Sequence, residues 1–143
     1  MQPPTDLAAA ISAASSPDWR ARAQAGQDLA RHADRDDVAD RLLALLLDAQ
    51  DTAVTDATAG AVLQRGDVTG VRLLARAVAA ADDEHLDHLS AAIAEHVHTV
   101  AQPIVFQQSL TALAKDPDPT VRTGAQSLAE WINPPTSLPE QPD

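Results

Sequence analysis

The stretch DPDPTVRTGAQSLAEWI, residues 116–132, decides the fold. Val121, Ala125, Leu128 and Ile132 recur at helical three-and-four spacing, so they share one face of a helix. Asp118 stands where a carboxylate accepts bonds from the orphan first-turn amides and complements the helix dipole. Pro119 follows at the first helical position, where its missing N–H costs nothing. Val121 is then the first core contact.

The same arrangement returns along the chain. In SPDWRARAQAGQDLARH, setting Asp18 on Asp118 puts Ala21 on Val121, Arg22 on Arg122 and Ala25 on Ala125. In DAQDTAVTDATAGAVLQRGD, Asp51 precedes Val54 by three residues. A weaker copy, ADDEHLDHLSAAIAEHV, starts at Asp83 and carries Leu86, Ser90 and Ile93. The anchors Asp18, Asp51, Asp83 and Asp118 are 33, 32 and 35 residues apart, a period that points to a repeat array.

A second amphipathic segment follows each of the first three. The spacing predicts that Val38, Leu42, Leu43, Leu46 and Leu47 are buried in the first. Val68, Val71, Leu74, Ala75 and Val78 are expected to be buried in the second, and Ile104, Val105, Leu110 and Leu113 in the third, which opens with Pro103. Gly66 suits a helix C-terminal position. A capping helix is expected near residues 6–14. The expected domain is 1–132. The segment 133–143 is proline-rich, without periodicity, and is expected to be extended or disordered.

This pattern resembles the HEAT-repeat family, on the Asp-x-x-Val-Arg of DPTVR, its degenerate copies, and the small residue and leucine that follow at Ala125 and Leu128. It spans residues 16–132. The resemblance implies an all-α, right-handed α-solenoid of about eight helices in antiparallel pairs. It also implies an Asp–Arg ladder between repeats, to which only Arg22 and Arg122 can contribute, because Thr55 and Asp87 stand at the other two arginine positions.

Composition agrees with a helical chain. Hydrophobic residues make up 45% and aromatics only 2%, so the apolar mass is Ala, Leu and Val. There is no Cys, which excludes disulfides and thiolate metal sites. No apolar run reaches the ~20 residues of a membrane span, and the first residues lack a signal-peptide pattern. The expectation is a cytoplasmic monomer.

Net charge is −11, and no Lys or Arg lies between Arg76 and Lys115. No basic footprint for nucleic acid can be assembled. A protein partner, a basic one above all, is expected instead. In the resembling family the second helices line the concave side. The candidate partner surface there is Asp40, Arg41, Ala44, Thr69, Arg72, Arg76, Gln107, Gln108 and Thr111, joined by the acidic set Asp82, Asp83, Glu84 and Asp87. Trp19 and Trp131 are expected in end packing or as partner anchors.

Chemistry has one candidate. His85 and His88 share a helix face, and Glu95 and His98 repeat the spacing, but the two pairs are about 15 Å apart along one helix. A solvated face is therefore expected, with no catalytic residue, metal or cofactor. The expected function is a non-catalytic interaction module or adaptor. The alternatives are an immunity- or inhibitor-type protein for a basic toxin, an accessory subunit of an enzyme, and, in another class, a metal-dependent enzyme using the His85/His88 region.

Overall fold

The computed structural model describes residues 5–48 and 50–133. The described residues form eight α-helices, two 3-10 turns and no strand. The helices are α1 (Thr5–Ala13), α2 (Trp19–Leu29), α3 (Asp36–Leu46), α4 (Thr52–Arg65), α5 (Val68–Ala80), α6 (Asp83–His96), α7 (Pro103–Leu113) and α8 (Pro119–Ile132). Residues 134–143, expected to be an irregular tail, lie outside the described residues.

The starts are built as the carboxylates dictate. Asp18, Asp51 and Asp118 each accept a hydrogen bond from the backbone N–H two residues on, at 3.1, 2.9 and 2.9 Å. Asp67 caps α5 through the Gly70 N–H. At α6 the cap is Asp82, one residue before the expected anchor, accepting from the His85 N–H at 2.9 Å. Asp83 and Glu84 then occupy the first turn. Gly66 closes α4 with φ of 65°, the left-handed conformation that glycine adopts without penalty.

Helices α2, α4 and α6 pack side by side, α3 and α5 pack against α2 and α4, and α7 packs on α5. Helix α1 covers α2. The third helix pair departs from the expected hairpin: α6 and α7 hardly touch. Helix α8 packs most extensively on α5, then on α7, and only slightly on α6. Gly124 makes this possible, because a Cβ there would strike the Ala75 carbonyl of α5. The two backbones meet at a distance that no larger residue permits.

Leu29, Leu42, Leu46, Leu63, Leu74, Leu89, Ile93, Leu110 and Leu128 are fully buried. The expected faces of α3, α5 and α8 hold in their central turns. Val38 and Val121 are buried as expected in the first turns of α3 and α8, Val68 at the start of α5 is not, and of the expected α7 face only Leu110 and Leu113 are. Val68 is 44% exposed, Ile104 74% and Val105 36%. In α7 the buried series starts at Phe106 and runs through Ser109, Leu110 and Leu113. Phe106 in the same first turn of α7 is buried, so Ile104 and Val105 are exposed because they fall off the face that Phe106, Leu110 and Leu113 share. In α3, Leu45 is buried while Leu43 and Leu47 are only half-buried.

Candidate functional site

The candidate surface on α3, α5 and α7 divides in two. On α3 and α5, Asp40 and Arg76 stand 3.5 Å apart. Arg72 donates to Asp116 Oδ1, in the link before α8, at 3.3 Å. Thr69, Arg72 and Arg76 line a groove of about 220 Å³ against α3, with Ala39, Val68 and Leu73 as its apolar part and Asp34 and Asp36 on its rim. Arg41 and Ala44 are exposed on α3.

Gln107, Gln108 and Thr111 line a different depression, about 550 Å³, on the outer side of α7. It shares no lining residue with the groove. Gln107 exchanges two hydrogen bonds with Asn133, at 2.8 and 3.3 Å. Asn133, the first residue of the expected tail, is thereby part of the packed structure.

The acidic set sits at the start of α6. Asp82 has a structural task beyond capping: its Oδ1 lies 2.6 Å from His85 Nδ1. The bonds from the His85 backbone and ring hold the Asp82 carboxyl below the usual carboxylate range. Asp83, Glu84 and Asp87 are exposed, and Ala91, Ala94 and Glu95 continue the same exposed face. Among the described residues, none of Asp83, Glu84, Asp87 and Glu95 has an ion-pair partner.

The arginines are spent differently. Arg22, Arg35, Arg65, Arg72 and Arg76 each reach a carboxylate within 4 Å. Arg35 and Asp37 are bonded side chain to side chain, which holds the Asp37 carboxyl low. At Asp67, burial alone would raise the carboxyl. The Arg65 guanidinium and the Gly70 N–H outweigh it and leave it below its ordinary value. Arg65 also donates to the Ala30 carbonyl, tying α4 to the end of α2.

Arg22, expected to pair with an anchor aspartate, pairs instead with Asp48. Arg22 Nε and Nη2 donate to the two oxygens of Asp48, and Nη1 donates to the Ser16 carbonyl. Asp48 Oδ2 in turn accepts from the Asp51 N–H at 2.7 Å. Arg122 repeats the local half of this motif, donating to the Asp116 carbonyl six residues back, as Arg22 does to Ser16. The anchors alone did not reveal Asp48. Its position three residues before Asp51 was the available signal.

The histidines do not converge. His85 pairs with Asp82 on its own helix, and His96 Nε2 lies 3.1 Å from Asp56 on α4. The His96 ring rests on Gly60. Among the described residues no group of three His, Asp or Glu side chains is placed to hold a metal ion. Trp19 is 38% exposed with the Arg20 guanidinium over its ring at 4.9 Å, whereas Trp131 is half-buried against the core. No described helix is long and apolar enough to cross a membrane.

Nothing matches this chain among family models, curated proteins or solved structures.

Proposed function

We propose that this chain is a HEAT-like α-solenoid serving as a non-catalytic interaction module, and that it binds a basic protein through the exposed face of α6. The row of α2, α4 and α6 with α3 and α5 packed against it, and the aspartate-capped starts, support the solenoid reading, with α8 as its irregular last member. One observation carries the functional reading. Among the described residues Arg22, Arg65, Arg72 and Arg76 each reach a carboxylate of the same chain and Arg20 and Arg41 do not, while on α6, which carries no Lys or Arg, Asp83, Glu84, Asp87 and Glu95 have no ion-pair partner.

An uncompensated acidic face attracts cations from a distance and repels polyanions. The small residues Ala91 and Ala94 leave that face low, so long Lys and Arg side chains can reach its carboxylates. An inhibitor of a basic enzyme and an adaptor would use it alike. The test is association measured against salt, with the triple reversal Asp83→Lys, Glu84→Lys and Asp87→Lys beside the natural chain. Loss of binding in the reversal with the fold unchanged supports the reading. Equal binding by both proteins refutes it.

A further inference from the structure

We propose that the α6 face is regulated by pH: histidines along it offset its carboxylates as pH falls and release a basic partner. This inference rests on the α6 reading and adds its regulation. Four of the chain's five histidines, His85, His88, His96 and His98, lie between the Asp82 cap and the end of the 3-10 turn Val97–Thr99 that follows α6. The segment holds five acids and no Lys or Arg, so protonating its four histidines takes its charge from −5 to −1. Histidine is the side chain that changes charge between about pH 5 and 8, where carboxylates and lysine ordinarily keep theirs.

The histidines stand where they act on those carboxylates. His85 Nδ1 lies 2.6 Å from Asp82 Oδ1. His88 follows Glu84 by four residues and His98 follows Glu95 by three, neighbouring positions on a helix surface. His85, His88 and His96 share one edge of α6 by their three- and eight-residue spacing. His88 is half-buried and His98 exposed, so their rings meet solvent.

The elements packed on α6 leave this control in place. Helix α4, its main support, sets Asp56 3.1 Å from His96 Nε2, and Arg31 and Arg65 line the same groove of about 680 Å³. His96 faces Asp56, so the change felt by a partner comes chiefly from His85, His88 and His98. Helix α8 touches α6 slightly and carries Arg122, bonded to the Asp116 carbonyl, and an exposed Glu130. Among the described residues Glu130 does not come within 4 Å of an α6 histidine. The Asp82 carboxyl, held low by the His85 bonds, stays ionised through the window.

The experiment is fluorescence anisotropy of a labelled lysine octapeptide with the full chain at low salt, at about pH 7.5 and about pH 5.5, where lysine is fully charged. The natural chain should bind at least ~10-fold more weakly at the lower pH, the smaller end of what a face of one charge sign contributes to association. The triple substitution His85→Gln, His88→Gln and His98→Gln should lose no more than ~3-fold, since His96 alone remains on the segment. His32→Gln, at the histidine outside the segment, should behave as the natural chain does. The double substitution His88→Gln and His98→Gln spares the Asp82–His85 contact and should lose less than the natural chain, which keeps the test readable if circular dichroism shows the triple variant unfolded. Binding that falls equally with pH in the natural chain and both histidine variants overturns the proposal and leaves the α6 reading standing, as does binding indifferent to pH. Failure of the natural chain to bind at about pH 7.5, or equal binding by the reversal Asp83→Lys, Glu84→Lys and Asp87→Lys, overturns both.

Discussion

Arg22 and Asp48 form a two-point ion pair between α2 and the end of α3, Nε to Oδ1 at 2.9 Å and Nη2 to Oδ2 at 3.3 Å, with side chains only 8% and 10% exposed. The same carboxylate holds the Asp51 N–H and so orders the start of α4. Removing one partner strands the other charge. Arg22→Ala and Asp48→Ala should each cost about 3–5 kcal/mol in chemical denaturation. The double substitution Arg22→Met with Asp48→Leu should cost less than the sum of the single replacements. Full additivity would show that the pair is not coupled.

How far the sequence carries is visible at this pair. Asp18, Asp51 and Asp118 were legible as helix starts because a carboxylate before a helix has one strong local use. Arg22 was legible as a bridging residue, but Asp48 was not, because its partner is set by how α3 ends against α2. The phase of α7 was misread for a related reason. Ile104 and Val105 are apolar, and only tertiary packing shows that the buried face is the one shared by Phe106, Ser109, Leu110 and Leu113. The placement of α8 on α5 was hidden in Gly124, a residue whose meaning appears only when Ala75 is beside it. The acidic face of α6 was legible, since no cation lies near it in sequence, yet the capping task of Asp82 within it was not.

Gly124→Ala tests the position of α8. Alanine favours a helix over glycine by about 1 kcal/mol, so propensity alone predicts stabilisation. The added methyl would collide with the Ala75 carbonyl, and backbone cannot yield as a flexible side chain can. The variant should lose about 1–3 kcal/mol. A raised melting temperature would mean that the two helices do not meet there.

Asp67 gives a pH signature. Its folded carboxyl lies below the ordinary value, so the pair with Arg65 contributes stability above the unfolded value of about 3.9. That contribution fades as pH falls through the lower folded value. The site is partly exposed and screened, so the effect is below about 1 kcal/mol. The gap in denaturation midpoint between the natural chain and Asp67→Asn should be steady near neutrality and close below about pH 4. A gap that widens on acidification would contradict the assignment.

The α6 carboxylates divide into structural and free. Asp82→Lys should lower the melting temperature, since it removes the cap and the His85 contact. The triple reversal of Asp83, Glu84 and Asp87 should leave the helical circular dichroism intact, because these side chains are exposed. First-turn acids favour the helix dipole, so a slight drop in melting temperature is expected. Unfolding of the triple variant would show that the face is part of the core framework.

The most direct measurement immobilises the natural chain and its triple reversal side by side, passes extract of the source cells over both, and elutes with rising salt. The account predicts a basic protein that is retained by the natural chain, released as salt screens the contact, and absent from the reversal. The same proteins on both surfaces, or a retained partner that is acidic and insensitive to salt, would contradict it.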